Sequence, residues 1–199
     1  MKVAGLLLAA GESTRMGSPK PLLPWGDKAL VEYQVEQLLE GGASGVVVVI
    51  GHEADQVRAA LRRWPVQVVQ NPEYRQGRAS SVRHGAAALP VYAEAAVVLN
   101  VDQPRPAEAV RGAIEGHQSG DSLITIPTYQ GRGGHPTVFS QVLFPELTRV
   151  TEQNQGMREV VQRHAGRVRR VELGSPFVVL DMNTPEEYQA ARAGFGLES

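Results

Sequence analysis

The chain has 199 residues, 42% of them apolar and 21% charged, which suffices for one domain with a substantial core and excludes a disordered polymer. Its 20 basic and 21 acidic residues leave a formal charge of −1 with no Lys/Arg cluster, so neither nucleic acid nor a membrane surface is expected as a partner. Cysteine is absent, which excludes disulfides, zinc–thiolate sites and a cysteine nucleophile.

In chain order, the apolar run 3–9 reads as a strand buried on both faces. Residues 29–40 place Val31, Val35, Leu38 and Leu39 on one helical face, and Gly41-Gly42 ends that helix. The β-branched run 46–50 is a strand, 54–64 a helix, and 66–69 a short strand before the Asn71-Pro72 turn. The Ala-rich stretch 79–89 predicts a helix. A strand at 95–99 is stopped by Asp102-Gln103-Pro104, and a helix at 106–118 is ended by Gly120. Strands at 122–126 and 137–139 follow, then a helix near 141–148 and another over 156–164. Between the two strands, Gly131 to Gly134 reads as a mobile loop. Short strands at 168–172 and 177–180 precede the last helix, 185–193, and the tail from Gly194 is expected to fray.

This alternation predicts an α/β fold: a Rossmann-like, three-layer α/β/α arrangement with a mostly parallel central sheet, residues 1–199 forming a single domain. Right-handed crossovers then bring the carboxyl ends of the parallel strands to one edge, where ligands bind. The longest apolar run is too short to span a membrane. The N-terminus has no basic region ahead of a long apolar core, so a cytoplasmic protein is expected.

The first strand runs into a loop holding Gly11, Arg15, Gly17 and Lys20. Glycine lets backbone N–H groups approach an anion closely, and two cations lie in the same stretch, which points to a triphosphate site. It is not a P-loop: five residues separate Gly11 from Gly17, and Lys20 lies three beyond Gly17. Nor is it a dinucleotide fingerprint, because Ser13 and Met16 stand where glycine is needed. Pro19, Pro21 and Pro24 oppose a helix directly after Gly17, so the loop is expected to run extended with Lys20 reaching in from its far end.

Asp102 sits just past a strand's carboxyl end on the same edge. A hard carboxylate there suits Mg²⁺, which takes one or two carboxylates plus phosphates and water. Asp181 leaves an apolar run in the same way. After it, Thr184 reads as an N-cap, Pro185 as the first helical residue and Glu187 as the closing member of a capping box, while Asn183 is free to face the site. Ser80 or Ser81 can cap the helix after Gly77, whose N-terminus can also bind polar ligand groups. His135 stands among glycines and is expected to be exposed, and His52, His84, His117 and His164 read as surface or helix-face residues.

Leu8-Ala9-Ala10-Gly11, Arg15-Met16-Gly17 and Lys20 closely resemble the signature of the MobA-like nucleotidyltransferases. Asn100-Val101-Asp102-Gln103-Pro104, the Asn71-Pro72 to Gly77-Arg78-Ala79-Ser80-Ser81 stretch, Gly131 to Pro136 and Asp181 to Glu187 resemble further segments of that family, in order along nearly the whole chain. Arg78-Ala79 stands where the family more often has Met-Ser. The resemblance implies the nucleotide-diphospho-sugar transferase fold, a triphosphate wrapped by the first loop, and Asp102 holding the metal with Asp181 or Asn183 close by. It further implies that Leu8, Ala9, Ala10, Gly11, Arg15, Gly17, Lys20, Asn71, Gly77, Ser80 and Ser81 bind the nucleotide and that His135 borders the acceptor. Arg15, Lys20 and Asp102 would carry catalysis.

Ala10 and the late Gly134-His135-Pro136 point within the family to the molybdenum cofactor cytidylyltransferases. The implied reaction is Mg²⁺-dependent transfer of CMP from CTP to the terminal phosphate of a molybdopterin-type acceptor, releasing pyrophosphate. A transfer partner would be found among the molybdoenzyme maturation proteins. The alternatives are GTP as the donor, a sugar or alcohol phosphate as the acceptor, and a nucleotide-binding module without turnover.

Overall fold

The structure, a computed structural model, describes residues 1–12 and 16–197. Strand β1, Val3–Ala9, is buried along its whole length. After a separate antiparallel pair, β2 (Pro24–Trp25) and β3 (Lys28–Ala29), the chain forms β4, Val46–Ile50, which pairs in parallel with β1 on one side, while β6, Ala95–Asn100, does so on the other. Strand β5, Val66–Gln70, extends the sheet beyond β4. On the far side of β6 lies β9, Thr137–Ser140, antiparallel to it, then β7, Ile124–Tyr129, and β10, Val168–Glu172, parallel to β7. The sheet is therefore mostly parallel, with one reversed strand separating two parallel blocks.

Two apolar layers follow from the period-two alternation of the strands. Val3, Leu7 and Ala9 of β1 pack with α1 (Leu30–Glu40), α2 (Ala54–Ala60), α4 (Ala107–Gln118) and α7 (Pro185–Gly194). Leu6 and Leu8 pack on the opposite face with α3 (Arg78–Ala87), α5 (Phe144–Leu147) and α6 (Met157–Arg163). Burying a side chain of this size stabilises by about 1.5–3 kcal/mol, and all of these are almost wholly buried. No helix among the described residues is long and apolar enough to cross a membrane.

Several expectations are corrected. The run 177–180 is not a strand. Residues Pro176–Val179 form a 3₁₀ turn, closed by Val178 N–H to the Ser175 carbonyl and Leu180 N–H to the Phe177 carbonyl, while the Val178 carbonyl accepts from both His135 N–H and Arg105 and the Leu180 carbonyl from Arg105. The segment after Gly17 is not wholly extended, since Lys20–Leu22 makes one 3₁₀ turn. The 131–134 segment is not a loose loop: Arg132–Gly133 forms strand β8 against β7, and the Glu172 carboxylate accepts from Thr128 Oγ1 and the backbone N–H groups of Gln130 and Gly131.

The tail is anchored at least as far as Phe195, whose ring packs on Phe177 at 4.3 Å, Trp25 at 5.1 Å and Tyr33 at 5.9 Å. His117 is buried, between Thr125 Oγ1 at 2.9 Å and Ser140 Oγ at 3.1 Å.

Candidate active site

The central strands β1 and β6 diverge in where their chains go next: β1 leads toward β4, and β6 toward β9 and β7. Such a switch leaves a crevice at the strands' carboxyl ends. A cavity of about 300 Å³ lies there, and its wall includes Leu8 near the end of β1, Ala10, Gly11 and Met16 from the first loop, Lys20, and Asp102 just past β6. The backbone joins the two strand exits, Val101 N–H donating to the Leu8 carbonyl at 3.0 Å.

Lys20 is the centre of the charged end. It is 8% exposed, and its Nζ donates to Asp102 Oδ2 at 2.9 Å and Asn183 Oδ1 at 3.2 Å. Its position is set from behind. Trp25, 2% exposed, packs at 5.8 Å on Tyr33 and 6.2 Å on Tyr188, and the Tyr188 hydroxyl donates to the Pro24 carbonyl. Asn183 is held by the helix start read in the sequence: Thr184 Oγ1 accepts from Glu187 N–H, and Glu187 Oε2 accepts from the N–H groups of Asn183 and Thr184.

The third wall comes from the start of α3. Gly77 has φ +106°, a conformation open to glycine, and a Cβ there would strike the Glu152 side chain at 2.5 Å. Gly77, Arg78 and Ser81 line the cavity. Asn71 and Ser80 stand behind that wall. Asn71 is fully buried; its Nδ2 donates to Ser80 Oγ at 2.8 Å and Ser81 Oγ at 3.0 Å, and its Oδ1 accepts from Glu73 N–H. Ala9 faces the core, and Gly17 lies outside the wall with φ +67°. Arg15 falls outside the described residues.

Asp181 is exposed and lies behind the wall, where its Oδ1 accepts from Gln103 Nε2 at 2.6 Å. Asn183, rather than Asp181, meets Lys20. Asp102, at the cavity's edge, offers hard oxygen ligation. Among the described residues no trio of His, Cys, Asp and Glu is grouped as a metal cage. That donor set fits Mg²⁺, which completes its shell with substrate phosphates and water.

A second cavity, of about 900 Å³, adjoins the first through Arg78, which lines both. It carries Arg158 and Arg170 as well as Phe139, Ile126 and Met157, so it presents cations beside an apolar wall. His135 lines it, and here the expectation of an exposed ring is corrected. Its Nδ1 is buried without a partner, and burial together with the nearby Arg105 charge pulls its pKa down to about 4, so the ring is neutral at physiological pH.

Arg105 was invisible as a site residue. It is fully buried and donates to the carbonyls of Pro104, His135, Val178 and Leu180 at 2.8–3.0 Å. Burial lowers its pKa to about 10, which leaves it charged. It ties the Asp102 loop to both the His135 segment and the chain leading to Asp181.

Residues 5–168 match the family model of the MobA-like NTP transferase domain. The chain is 31% identical over 194 residues to a nicotine blue oxidoreductase of Paenarthrobacter nicotinovorans, covering 93% of this chain and 94% of that protein. It is 24% identical over 189 residues to the molybdenum cofactor cytidylyltransferase of Escherichia coli, covering 94% of each. Rv0371c of Mycobacterium tuberculosis superposes with a TM-score of 0.82 at 29% identity, over 100% of this chain and 99% of that one. The same protein, solved in complex with manganese, superposes with a TM-score of 0.79 at 27% identity, over 96% and 97% of the two chains. The architecture is the nucleotide-diphospho-sugar transferase fold.

Proposed function

The chain belongs to the MobA-like NTP transferase family, and from that premise we propose that it transfers CMP from CTP to the terminal phosphate of a molybdopterin-type acceptor. The observation that carries the reading is the Lys20–Asp102 pair, buried at 2.9 Å where β1 and β6 end. The triphosphate would lie along the first loop, with Gly11 backbone, Arg15 and Lys20 against it. A phosphate oxygen of the acceptor attacks the α-phosphorus, the bond to the β-phosphate oxygen breaks, and pyrophosphate leaves. Positioning and charge stabilisation carry such transfers, and the phosphate nucleophile is already ionised, so no strong base is required.

Asp102 would hold Mg²⁺, and Asp181, whose Oδ1 accepts from Gln103 Nε2, would support it from behind the wall. Bound there, the ion supplies positive charge against the phosphate oxygens. Manganese in a solved relative supports a divalent ion. The larger cavity suits the acceptor, its arginines facing phosphate and its apolar wall a flat ring system. His135 would contact the acceptor as a neutral group. Arg78, on the rim of both cavities, would neutralise charge where the two substrates meet.

Ala10 lines the smaller cavity, and in this reading its methyl would narrow the space for a purine. A group of that size supplies about 1–3 kcal/mol of discrimination. Pyrophosphate release with equimolar CTP and GTP is therefore expected to favour CTP by roughly tenfold or more, with Ala10→Gly relaxing the preference. Equal use of both by the wild-type protein sinks the cytidylyl assignment alone.

A second reading is favoured by the 31% identity to nicotine blue oxidoreductase: two-electron reduction of a coloured organic compound bound in the larger cavity, with a reduced nicotinamide as the hydride donor. NADH-dependent bleaching of such a dye, without pyrophosphate release from any nucleotide, would establish it instead.

A further inference from the structure

Asn100 ends β6 beside Leu8 and is 4% exposed. Its Nδ2 donates to Gln103 Oε1 at 2.8 Å, and Gln103 Nε2 donates to Asp181 Oδ1 at 2.6 Å. The direction of this relay is fixed by chemistry. An ionised carboxylate only accepts, so Gln103 must turn its NH₂ to Asp181 and its oxygen to Asn100. Asn100 must answer with its own NH₂, which leaves its Oδ1 pointing away from the relay.

That Oδ1 is buried without a hydrogen-bond partner, and Asn100 lines the nucleotide cavity. Among the described residues, no other with such an unpartnered buried atom lies in this cavity's wall. The backbone around it is held as well: Gln34 Nε2 donates to the carbonyls of Asn100, Val101 and Gln103. An unpaired buried acceptor is costly, and a ligand that presents a donor removes the cost. A phosphate cannot do this, because its oxygens repel an amide oxygen. The phosphate end of the cavity is instead the end with Lys20 and the first loop.

Building on the nucleotidyltransferase reading, we infer that Asn100 Oδ1 reads the nucleoside, accepting a hydrogen bond from a neutral donor that is either the base's exocyclic amine or a sugar hydroxyl. Asp181 acts through Gln103 as a positioning residue, holding that oxygen toward the ligand.

The test is equilibrium binding in Mg²⁺ of CTP, UTP, 2′-deoxy-CTP, 3′-deoxy-CTP and pyrophosphate to the wild type, Asn100→Ala and Asp181→Asn. If guanosine nucleotides bind instead, GTP, ITP and the deoxy forms of GTP replace the set. Asn100→Ala should weaken the parent nucleotide about tenfold or more and leave pyrophosphate unchanged. It should cost nothing further for the one analogue that lacks the donor. If that analogue is UTP or ITP, the donor is the amine; if a deoxynucleotide, it is a hydroxyl.

Asp181→Asn lets Gln103 turn either way, so it should give the same analogue-selective pattern more weakly. Loss of a metal contact would instead weaken all the nucleotides alike. Because Asp181 is exposed, this variant keeps the test decisive if Asn100→Ala does not fold. A uniform loss across all nucleotides in both variants, or no loss on the parent nucleotide, overturns the inference. A wild-type protein that binds no nucleotide overturns the nucleotidyltransferase reading itself, and is recognised before any variant is made.

Discussion

Lys20 and Asp102 neutralise each other with side chains only 10% and 18% exposed, so removing either leaves a largely buried charge facing Asn183 or the loop. In the proposed reaction Lys20 Nζ would face the charge building on the departing pyrophosphate, so Lys20→Ala should lower kcat by roughly two to three orders of magnitude. A steady-state comparison that finds only KM raised would restrict Lys20 to binding. Asp102→Ala should abolish turnover at saturating Mg²⁺ while far-UV circular dichroism stays that of the wild type, because the side chain lies at the cavity's edge and outside both apolar layers. Wild-type turnover in that variant would remove Asp102 from the metal site.

At the scale of elements, Arg105 clasps three segments through four carbonyls. Arg105→Met takes the guanidinium donor from the Pro104, His135 and Leu180 carbonyls and leaves Val178 with only the His135 N–H, and each buried loss is worth about 1–3 kcal/mol. A destabilisation of about 3 kcal/mol or more is expected, a fall in Tm of roughly 10 °C in a thermal melt. Arg105→Lys should not restore it, since one ammonium cannot reach carbonyls on three segments. No pattern in the sequence marks this residue: a buried arginine and a solvated one are written the same way, and only the tertiary path of the 104–105, 135 and 178–180 segments separates them.

The same limit explains what was and was not legible. The β-branched run Val46–Ile50 and the Thr184-to-Glu187 capping box are local signals, and both formed as read. The exits of β1 and β6 follow from strand alternation, which is why Gly11, Lys20 and Asp102 could be brought together on paper. The short apolar run 177–180 carries no period, so its turn could not be told from a strand. That Asn71 braces Ser80 and Ser81 is a matter of three-dimensional distance, which spacing along the chain does not carry. Phe195 was read as fraying because its partners, Trp25 and Phe177, are far away in sequence or hidden in a misread element.

The whole molecule carries a pH dependence through the half-buried His135 and the buried His117. The ordinary histidine pKa is near 6.5, and in the fold His135 is pulled down to about 4, while burial also lowers His117. As pH falls from 6.5, the unfolded chain takes up protons that the folded one refuses. Stability is therefore fully present above about 6.5 and is lost toward pH 4. His135→Gln should flatten that decline by about 2 kcal/mol between pH 6.5 and 4.5, measured by urea unfolding at each pH. An unchanged slope would mean that the ring is hydrated and titrates normally.

The place of β1 in the sheet has a consequence for synthesis. Its first residue, Val3, is paired with Ala95, so one side of the molecule's central strand waits for a partner 92 residues later in the chain (95 − 3). At about 5–20 residues per second on a ribosome, that wait lasts roughly 5–20 s. Until β6 emerges, an apolar strand destined for the middle of the sheet is an open edge with unpaired N–H and C=O groups. Nascent chains arrested before residue 95 should therefore be cleaved readily by a probe protease and retained by holdase chaperones, and chains arrested late enough to expose β6 and β9 should be resistant. A strand that is interior in the finished enzyme is, during translation, an exposed edge.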